Sequence, residues 1–349
     1  MKKKEIIFPA EWAEQDFIQL TWPHQESDWY YMLEEVTDCF VQLAHAIVRF
    51  QPLLIVCRNA ETVRSQLEGI DWTMVTIAEL PSNDTWARDH GGISIFRSGK
   101  PVLCDFTFNG WGLKFASAND NKITRCLYNN GIFSKETEYQ NHLDFVLEGG
   151  SLESDGNGTL LTTAQCLLSE NRNDKLTKEE IEHLLSERLG IDRFLWLHHG
   201  YLRGDDTDSH IDTLARLCDA ETIAYVQCED ESDEHYAELK AMENELKNFR
   251  TVAGKPYQLF PLPMANTVME EGERLPATYA NFLILNGAVL VPTYNSPADT
   301  TALKQIQKVF PSREVIGINC LPLIKQHGSL HCVTMQYPKG FGNKNLKSQ

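Results

Sequence analysis

The stretch GDDTDSHID, residues 204–212, sets four carboxylates (Asp205, Asp206, Asp208 and Asp212) and one imidazole (His210) into nine positions with no lysine or arginine among them. So many like charges call for a compensating cation, carried by a metal ion or by a substrate. On an extended backbone side chains alternate, so Asp206, Asp208, His210 and Asp212 would share one face. A calcium loop does not fit. Starting D-x-[DN]-x-[DN]-G-x5-E at Asp205, Asp206 or Asp208 puts His210, Ile211 or Thr213 at the glycine, and no glutamate closes it. Zinc would find a single histidine, whereas a carboxylate-dominated set suits magnesium or manganese. A metal-dependent hydrolase using the Asp206–Asp212 cluster is therefore one reading, and a pocket for an organic cation is the other.

Three other places carry reactive side chains. Cys332, in KQHGSLHCVTMQYP (325–338), follows a Gly-Ser turn and leads into the strand-like run VTMQ. A lone cysteine is most often a small buried hydrophobe. On a strand His331 would point to the opposite face, so a base for Cys332 must come from elsewhere in the fold. NDTWARDHGG (83–92) sets Asp89 beside Arg88, just ahead of the apolar run ISIF. FVLEGGSLESDGNG (145–158) places Glu148 immediately before Gly149 and Gly150, a pair that lets backbone approach something closely. Taken singly these are ordinary surface or turn features. Together they form a set of one thiol, one imidazole and several carboxylates.

The elements that must bring these residues together recur along the chain. Amphipathic helical patterns run over about 28–49, 119–133, 177–189, 232–249 and 298–309, most followed by a short apolar strand such as QPLLIVC (51–57), DRFLWL (192–197) or SREVIGI (312–318). LESDGNGTLLTT (152–163) and YANFLILNGAVLVPT (279–293) read as strand pairs joined at Gly with Asn or Asp. Five helices with strands around each suggest a repeated α/β unit. A dinucleotide-binding fold is disfavoured, because no GxGxxG follows the early strands.

Composition bounds the rest. The formal charge is −17, from 49 acidic and 32 basic residues, a field that repels nucleic acid and anionic membranes and draws in small cations. No apolar run approaches the ~18 residues a membrane span needs, and MKKKEIIFPAEW is too short in apolar residues for a signal peptide. Nine cysteines without a CxxC pair argue against disulfides and structural zinc and fit a reducing cytoplasm.

WARDHGG, EGGSLESDGNGT, SENRN (169–173), GDDTDSHID and GSLHCVTMQ, in this order, resemble the signature motifs of the agmatine deiminase family, which is grouped with the Porphyromonas-type peptidylarginine deiminases. PAEWAEQDFIQLTWPH (9–24) and YNSPAD (294–299) resemble it too, so the likeness spans nearly the whole chain. Gly92 and Ser209 stand where the family's WARDxGP and GDDTDGH carry proline and glycine. The resemblance implies the pentein fold: a five-bladed α/β propeller of pseudo-fivefold ββαβ units around a central active site, here one catalytic domain over residues 1–349. It implies Cys332 as nucleophile and His210 as general acid and base. Asp89 and Asp212 would hold the guanidinium nitrogens, and Glu148 would support His210 or the substrate.

A guanidinium ion is resonance-stabilised and stays protonated, so water attacks it poorly. Two carboxylates can orient it over a thiolate, and covalent attack then splits one difficult substitution into two. The carboxylates should raise the Cys332 thiol above its usual range, so thiolate is expected mainly when substrate is bound or His210 is charged. Agmatine, a dication, would want apolar or acidic walls, which Trp86 and Trp111 with Asp206 could supply. Free arginine or peptidyl-arginine is the alternative on the same fold; Arg203 and Arg88 could meet a carboxylate but sit in acidic sequence that should pair with them. No cofactor, metal, nucleic acid or membrane partner is expected. Self-association is left open.

Overall fold

Five sheets share one wiring in the computed structural model, which describes residues 5–343. The basic opening Met1–Lys4, on which the reading of the N-terminus rests, lies outside the described residues. In each of these five two strands pair antiparallel, a helix follows the second, and a further strand returns parallel to it; a separate hairpin pairs Met269–Glu270 with Glu273–Arg274. Gln15–Thr21 pairs antiparallel with the C-terminal strand Thr334–Pro338, then helix α1 (Leu33–Val48) crosses to Leu53–Cys57. Ile93–Arg97 and Lys100–Thr107 are followed by α2 (Asp120–Asn129) and the parallel strand Glu138–Val146. Glu153–Ser154 and Thr159–Thr163 lead through α3 (Lys178–Leu189) to Arg193–Leu197. Ala215–Leu217 and Thr222–Gln227 lead through α4 (Tyr236–Asn248) to Gln258–Pro263. Leu283–Ile284 and Ala288–Thr293 lead through α5 (Asp299–Val309) to Glu314–Asn319. A parallel return needs such a crossover, so each helix is the price of its third strand.

The five helices expected from the sequence are present, with trimmed ends. α1 starts at Leu33 rather than near residue 28, after a 3-10 turn over Tyr30–Met32. Its buried Val36, Phe40, Leu43 and Ile47 recur at helical spacing and face the largest core cluster, each worth about 1.5–3 kcal/mol on burial. α3 is delimited by local chemistry. Thr177 and Glu180 form a reciprocal capping box at its start, and Gly190, at φ 72°, ends it in the left-handed region. Leu53–Cys57 and Thr159–Thr163 are buried along their whole length, as strands covered on both faces must be. Among the described residues no helix is long and apolar enough to cross a membrane.

What matters for function is the segment just ahead of the first strand in each sheet. Asp89 precedes Ile93–Arg97, Glu148 precedes Glu153–Ser154, and His210 and Asp212 precede Ala215–Leu217. Asn281 precedes Leu283–Ile284, and Cys332 precedes Thr334–Pro338. Each sheet thus offers side chains from an equivalent place.

Candidate active site

The GDDTDSHID stretch is not a strand. Residues 204–210 fold as turns, with Asp208 at φ 66° and Ser209 at φ 62°. Two successive left-handed residues destroy the alternation that would have put Asp206, Asp208, His210 and Asp212 on one face. They also give Ser209 a backbone conformation in which glycine carries no Cβ penalty. The four side chains consequently go to different partners. Asp208 is claimed by Arg172 and by Lys114, whose ammonium stands 2.9 Å away. Asp206 faces the cleft, His210 meets Glu148, and Asp212 is bonded to His331. The Asp206–Asp212 ligand cluster required by the metal-hydrolase reading is therefore not assembled.

His210 is fully buried between two carboxylates. Its Nε2 lies 3.0 Å from Glu148 Oε2, and its Nδ1 lies 3.6 Å from Asp89 Oδ1 with no hydrogen-bond partner among the described residues. Burial opposes a charged imidazole, but Asp89, Cys166 and Glu148 together raise His210 well above its ordinary pKa. Glu148 is held by the Arg172 guanidinium, with Nη2 at 3.1 Å and Nε at 3.2 Å from its oxygens. Burial works against ionisation of Glu148, yet His210 and Arg172 prevail and hold it below the usual carboxylate range. The Gly149–Gly150 pair has the purpose its sequence suggested. A Cβ on Gly150 would sit 2.5 Å from His210 Nδ1 and 2.8 Å from Asp89 Oδ1.

Asp89 rides the helical turn Ala87–His90. Its Oδ1 accepts from the Gly150 amide at 2.9 Å and its Oδ2 from the Trp111 indole at 3.0 Å. Burial, reinforced by the Asp212 and Glu148 charges, pushes Asp89 up to about 6 against the pull of His210. Asp212 takes His331 Nδ1 on Oδ2 at 2.7 Å, leaving a buried Oδ1 without a partner among the described residues. Burial disfavours its charge, but His331 outweighs that and keeps Asp212 below its ordinary value.

Cys332 lies in the turn ahead of Thr334–Pro338, not on the strand. Its thiol stands 3.4 Å from Asn281 Oδ1, which also accepts from the Cys332 amide at 3.3 Å and the His331 amide at 2.8 Å. Burial and then the Asp212 and Asp89 charges raise the thiol well above its ordinary pKa, as the sequence argument anticipated. His331 turns away from the thiol toward Asp212 and Glu11.

A cleft opens onto Cys332 and Asp89 between Trp86, Trp111 and Phe115, with Asp28, Asp84, Asp206 and His327 also on its walls and, among the described residues, no lysine or arginine. The two tryptophans stand edge to face at 6.3 Å. Trp111 holds its place through a left-handed backbone (φ 55°) in a segment where Gly110, Gly112 and Leu113 share that region. Burial pushes Asp206 up to about 6, and Asp84 likewise. Arg88 and Arg203 are not paired with their acidic neighbours. Arg88 is buried, its Nε reaching only the His331 carbonyl at 3.5 Å, and no carboxylate lies within ion-pair distance of Arg203 among the described residues. Neither lines the cleft.

Among the described residues one group, Glu148, Cys166 and His210, has ligand atoms near enough to hold a metal ion. Both Glu148 oxygens already face the Arg172 cation, which a metal would have to displace or tolerate. Sequence reasoning missed Arg172, Asn281 and Cys166 in this shell. Arg172 lay inside the quoted SENRN motif without a role, and Asn281 lay inside YANFLIL, where only its place before a strand pair could have flagged it.

With this geometry described, the likeness to known proteins is informative. Residues 7–338 match the family model of Porphyromonas-type peptidyl-arginine deiminase. The agmatine deiminase of Stutzerimonas stutzeri is 31% identical, with 95% of each chain covered. A Porphyromonas gingivalis crystal structure provisionally described as an arginine deiminase is 57% identical with a TM-score of 0.94, covering 97% of this chain and 100% of that one. A substrate-bound cysteine-to-serine variant of C. jejuni agmatine deiminase is 38% identical with a TM-score of 0.90, covering 97% and 98%. The chain belongs to the Porphyromonas-type peptidyl-arginine deiminase family.

Proposed function

We propose that this protein hydrolyses agmatine to N-carbamoylputrescine and ammonia, with Cys332 as nucleophile and His210 as acid and base. The observation that carries the substrate choice is the cleft wall. Beyond the Asp89–Cys332 end it presents Trp86, Trp111 and Phe115 with Asp28, Asp84 and Asp206, and among the described residues offers no lysine or arginine. An alkyl chain ending in ammonium suits such walls, whereas the α-carboxylate of arginine would meet three carboxylates and, as a basic side chain, His327, whose Nδ1 is engaged with the Gly204 carbonyl at 2.7 Å. Named relatives at full length point the same way.

In the reaction Asp89 and Asp212 Oδ1 take the guanidinium N–H groups and place its carbon over the thiol. The bound cation offsets the negative neighbours of Cys332, so the thiol ionises, its proton passing to solvent, and its sulfur adds to the central carbon. His210, charged between Asp89 and Glu148, delivers a proton to one nitrogen, which leaves as ammonia. The remaining thiouronium is attacked by a water that gives its proton to the now neutral His210. Collapse breaks the C–S bond, releases the urea-type product and restores the thiol. Glu148 keeps His210 oriented, and Arg172 keeps Glu148 ionised.

The five sheets with their common ββαβ wiring support arrangement as a single pentein domain, five blades around the axis where Asp89, Glu148, His210, Asn281 and Cys332 meet. The free cysteines support residence in a reducing cytoplasm. The test is ammonia release from metal-stripped protein offered agmatine and arginine in parallel, with Cys332→Ser alongside. Release from agmatine that the variant lacks is expected. Release from arginine with equal kcat/KM would overturn the substrate, and activity surviving loss of Cys332 would overturn the mechanism.

A further inference from the structure

Beneath the reacting groups lies a buried ionic network that the mechanism above does not use. Arg216, fully buried, pairs with Glu11 through Nη2 and with Glu153 through Nε. Its Nη1 donates to the Ala280 carbonyl at 3.2 Å and to the Phe282 carbonyl. Those two carbonyls flank Asn281, the residue that holds the Cys332 thiol and amide. Glu11 Oε2 also lies 2.8 Å from His331 Nε2, which Arg216 Nη2 approaches at 3.1 Å, while His331 Nδ1 meets Asp212 at 2.7 Å. Glu11 Oε1 accepts the Ile284 amide at 2.8 Å, and Asn281 Nδ2 donates to the Asp212 carbonyl at 3.3 Å.

A buried network of this kind adds little net stability over apolar packing, because desolvation offsets the attraction. Its geometric consequence is larger. The His331 ring is clasped from both ends, Nδ1 by Asp212 and Nε2 by Glu11 and Arg216, and its plane is fixed. Fixing the ring commits Asp212 Oδ2 and leaves Oδ1 as the oxygen available to substrate. The same Glu11–Arg216 pair holds the backbone on both sides of Asn281. Residues from the first and last parts of the chain thus converge on one task.

We propose that Glu11 is a positioning residue for the reaction, presetting Asp212 through His331 and the Cys332 turn through Arg216 and Asn281. The inference rests on the reading of Cys332 and Asp212 as nucleophile and guanidinium holder. A glutamine at position 11 would keep the volume but lose the charge facing Arg216, and could turn a donor toward His331. Asp212 would then lose its fixed orientation.

The test compares Glu11→Gln with the parent on two readouts. The first is kcat/KM for agmatine, expected to fall about a hundredfold from misplacement of the reacting groups. The second is the ratio of alkylation rates at Cys332, followed by mass spectrometry, for cationic chloroacetamidine against neutral chloroacetamide. The parent should prefer the amidinium, and the variant should lose about tenfold of that preference, as expected for one misdirected bond to a charge. A merely structural role would change both reagents alike. An unchanged ratio, or kcat/KM within threefold of the parent, overturns the proposal. If Glu11→Gln does not fold by circular dichroism, Glu11→Asp, which keeps the charge but withdraws it by one methylene, is measured instead and should move both readouts in the same direction. The alkylation ratio needs no turnover, so a parent inert toward agmatine would overturn the substrate reading and leave this inference to the ratio.

Discussion

Replacing Asp212 with asparagine should move two measurements in opposite directions. Asp212 has one oxygen committed to His331 and one buried oxygen free, in the neighbourhood of a thiol whose ionisation its charge opposes. In Asp212→Asn the His331 bond can survive through the amide oxygen, which turns the NH2 toward the place where a guanidinium N–H must be accepted. The variant loses one acceptor, gains a misplaced donor and leaves the substrate's buried cation with Asp89 alone. Truncating one partner of a buried, hydrogen-bonded charge pair costs about 2–5 kcal/mol, or roughly thirty- to several-thousand-fold in kcat/KM. The same substitution removes a negative neighbour of Cys332, so the free enzyme's thiol should ionise more readily. Stopped-flow alkylation by neutral iodoacetamide at pH 8, followed at Cys332, should therefore be faster in the variant while steady-state ammonia release is slower. A fall in kcat/KM below tenfold, or slower alkylation, would refute the assignment of Asp212 as both guanidinium holder and suppressor of the thiolate.

Two further outcomes follow from the site. Asp89 must be ionised to hold the cation and is pushed up to about 6, so the acid limb of kcat/KM should have its midpoint near pH 6. A bound cation favours the carboxylate, so the limb of kcat should lie at lower pH than that of kcat/KM, and a pH series that places it higher would contradict the role. Gly150→Ala would drive a methyl into His210 Nδ1 and Asp89 Oδ1 at 2.5 and 2.8 Å, and should lower kcat about a hundredfold while the protein still melts cooperatively in calorimetry; kcat within threefold of the parent would show that these groups have slack.

The reacting groups were legible where chemistry crowds a short stretch of chain. His210 and Asp212 announced themselves by the charge density around them, and Glu148 by the glycines after it. Their partners were not, for reasons of distance and type. Arg172 reads as an ordinary solvated arginine until Glu148, 24 residues away, is seen against it. Asn281 carries no charge, and its importance comes from standing before a strand pair as Asp89, Glu148, His210 and Cys332 do. The face-sharing expected of Asp206, Asp208, His210 and Asp212 failed at two residues, since periodicity arguments assume regular backbone and Asp208 and Ser209 leave it. The five helices were legible because burial imposes a helical period on them, and the pair Leu283–Ile284 with Ala288–Thr293 because Asn286 and Gly287 mark the turn between its apolar runs.

The crowding of carboxylates acquires a direction once their partners are compared. Glu148 is neutralised by Arg172, and Asp208 by Arg172 and Lys114. Glu11 and Glu153 are neutralised by Arg216. Among the described residues Asp89 has two neutral donors and the His210 imidazole 3.6 Å away, and Asp212 keeps one oxygen unpartnered. Burial opposes the charge of both carboxylates beside the nucleophile, and it prevails at Asp89, pushed up to about 6, whereas His331 keeps Asp212 below its ordinary value. A planar dication-end entering the cleft offsets it on both and simultaneously removes the penalty on the thiolate. The neutral urea end of the product offsets neither. The electrostatics that suppress Cys332 in the empty site therefore also discriminate substrate from product: the charge lost in the reaction is the charge that held the reactant in place.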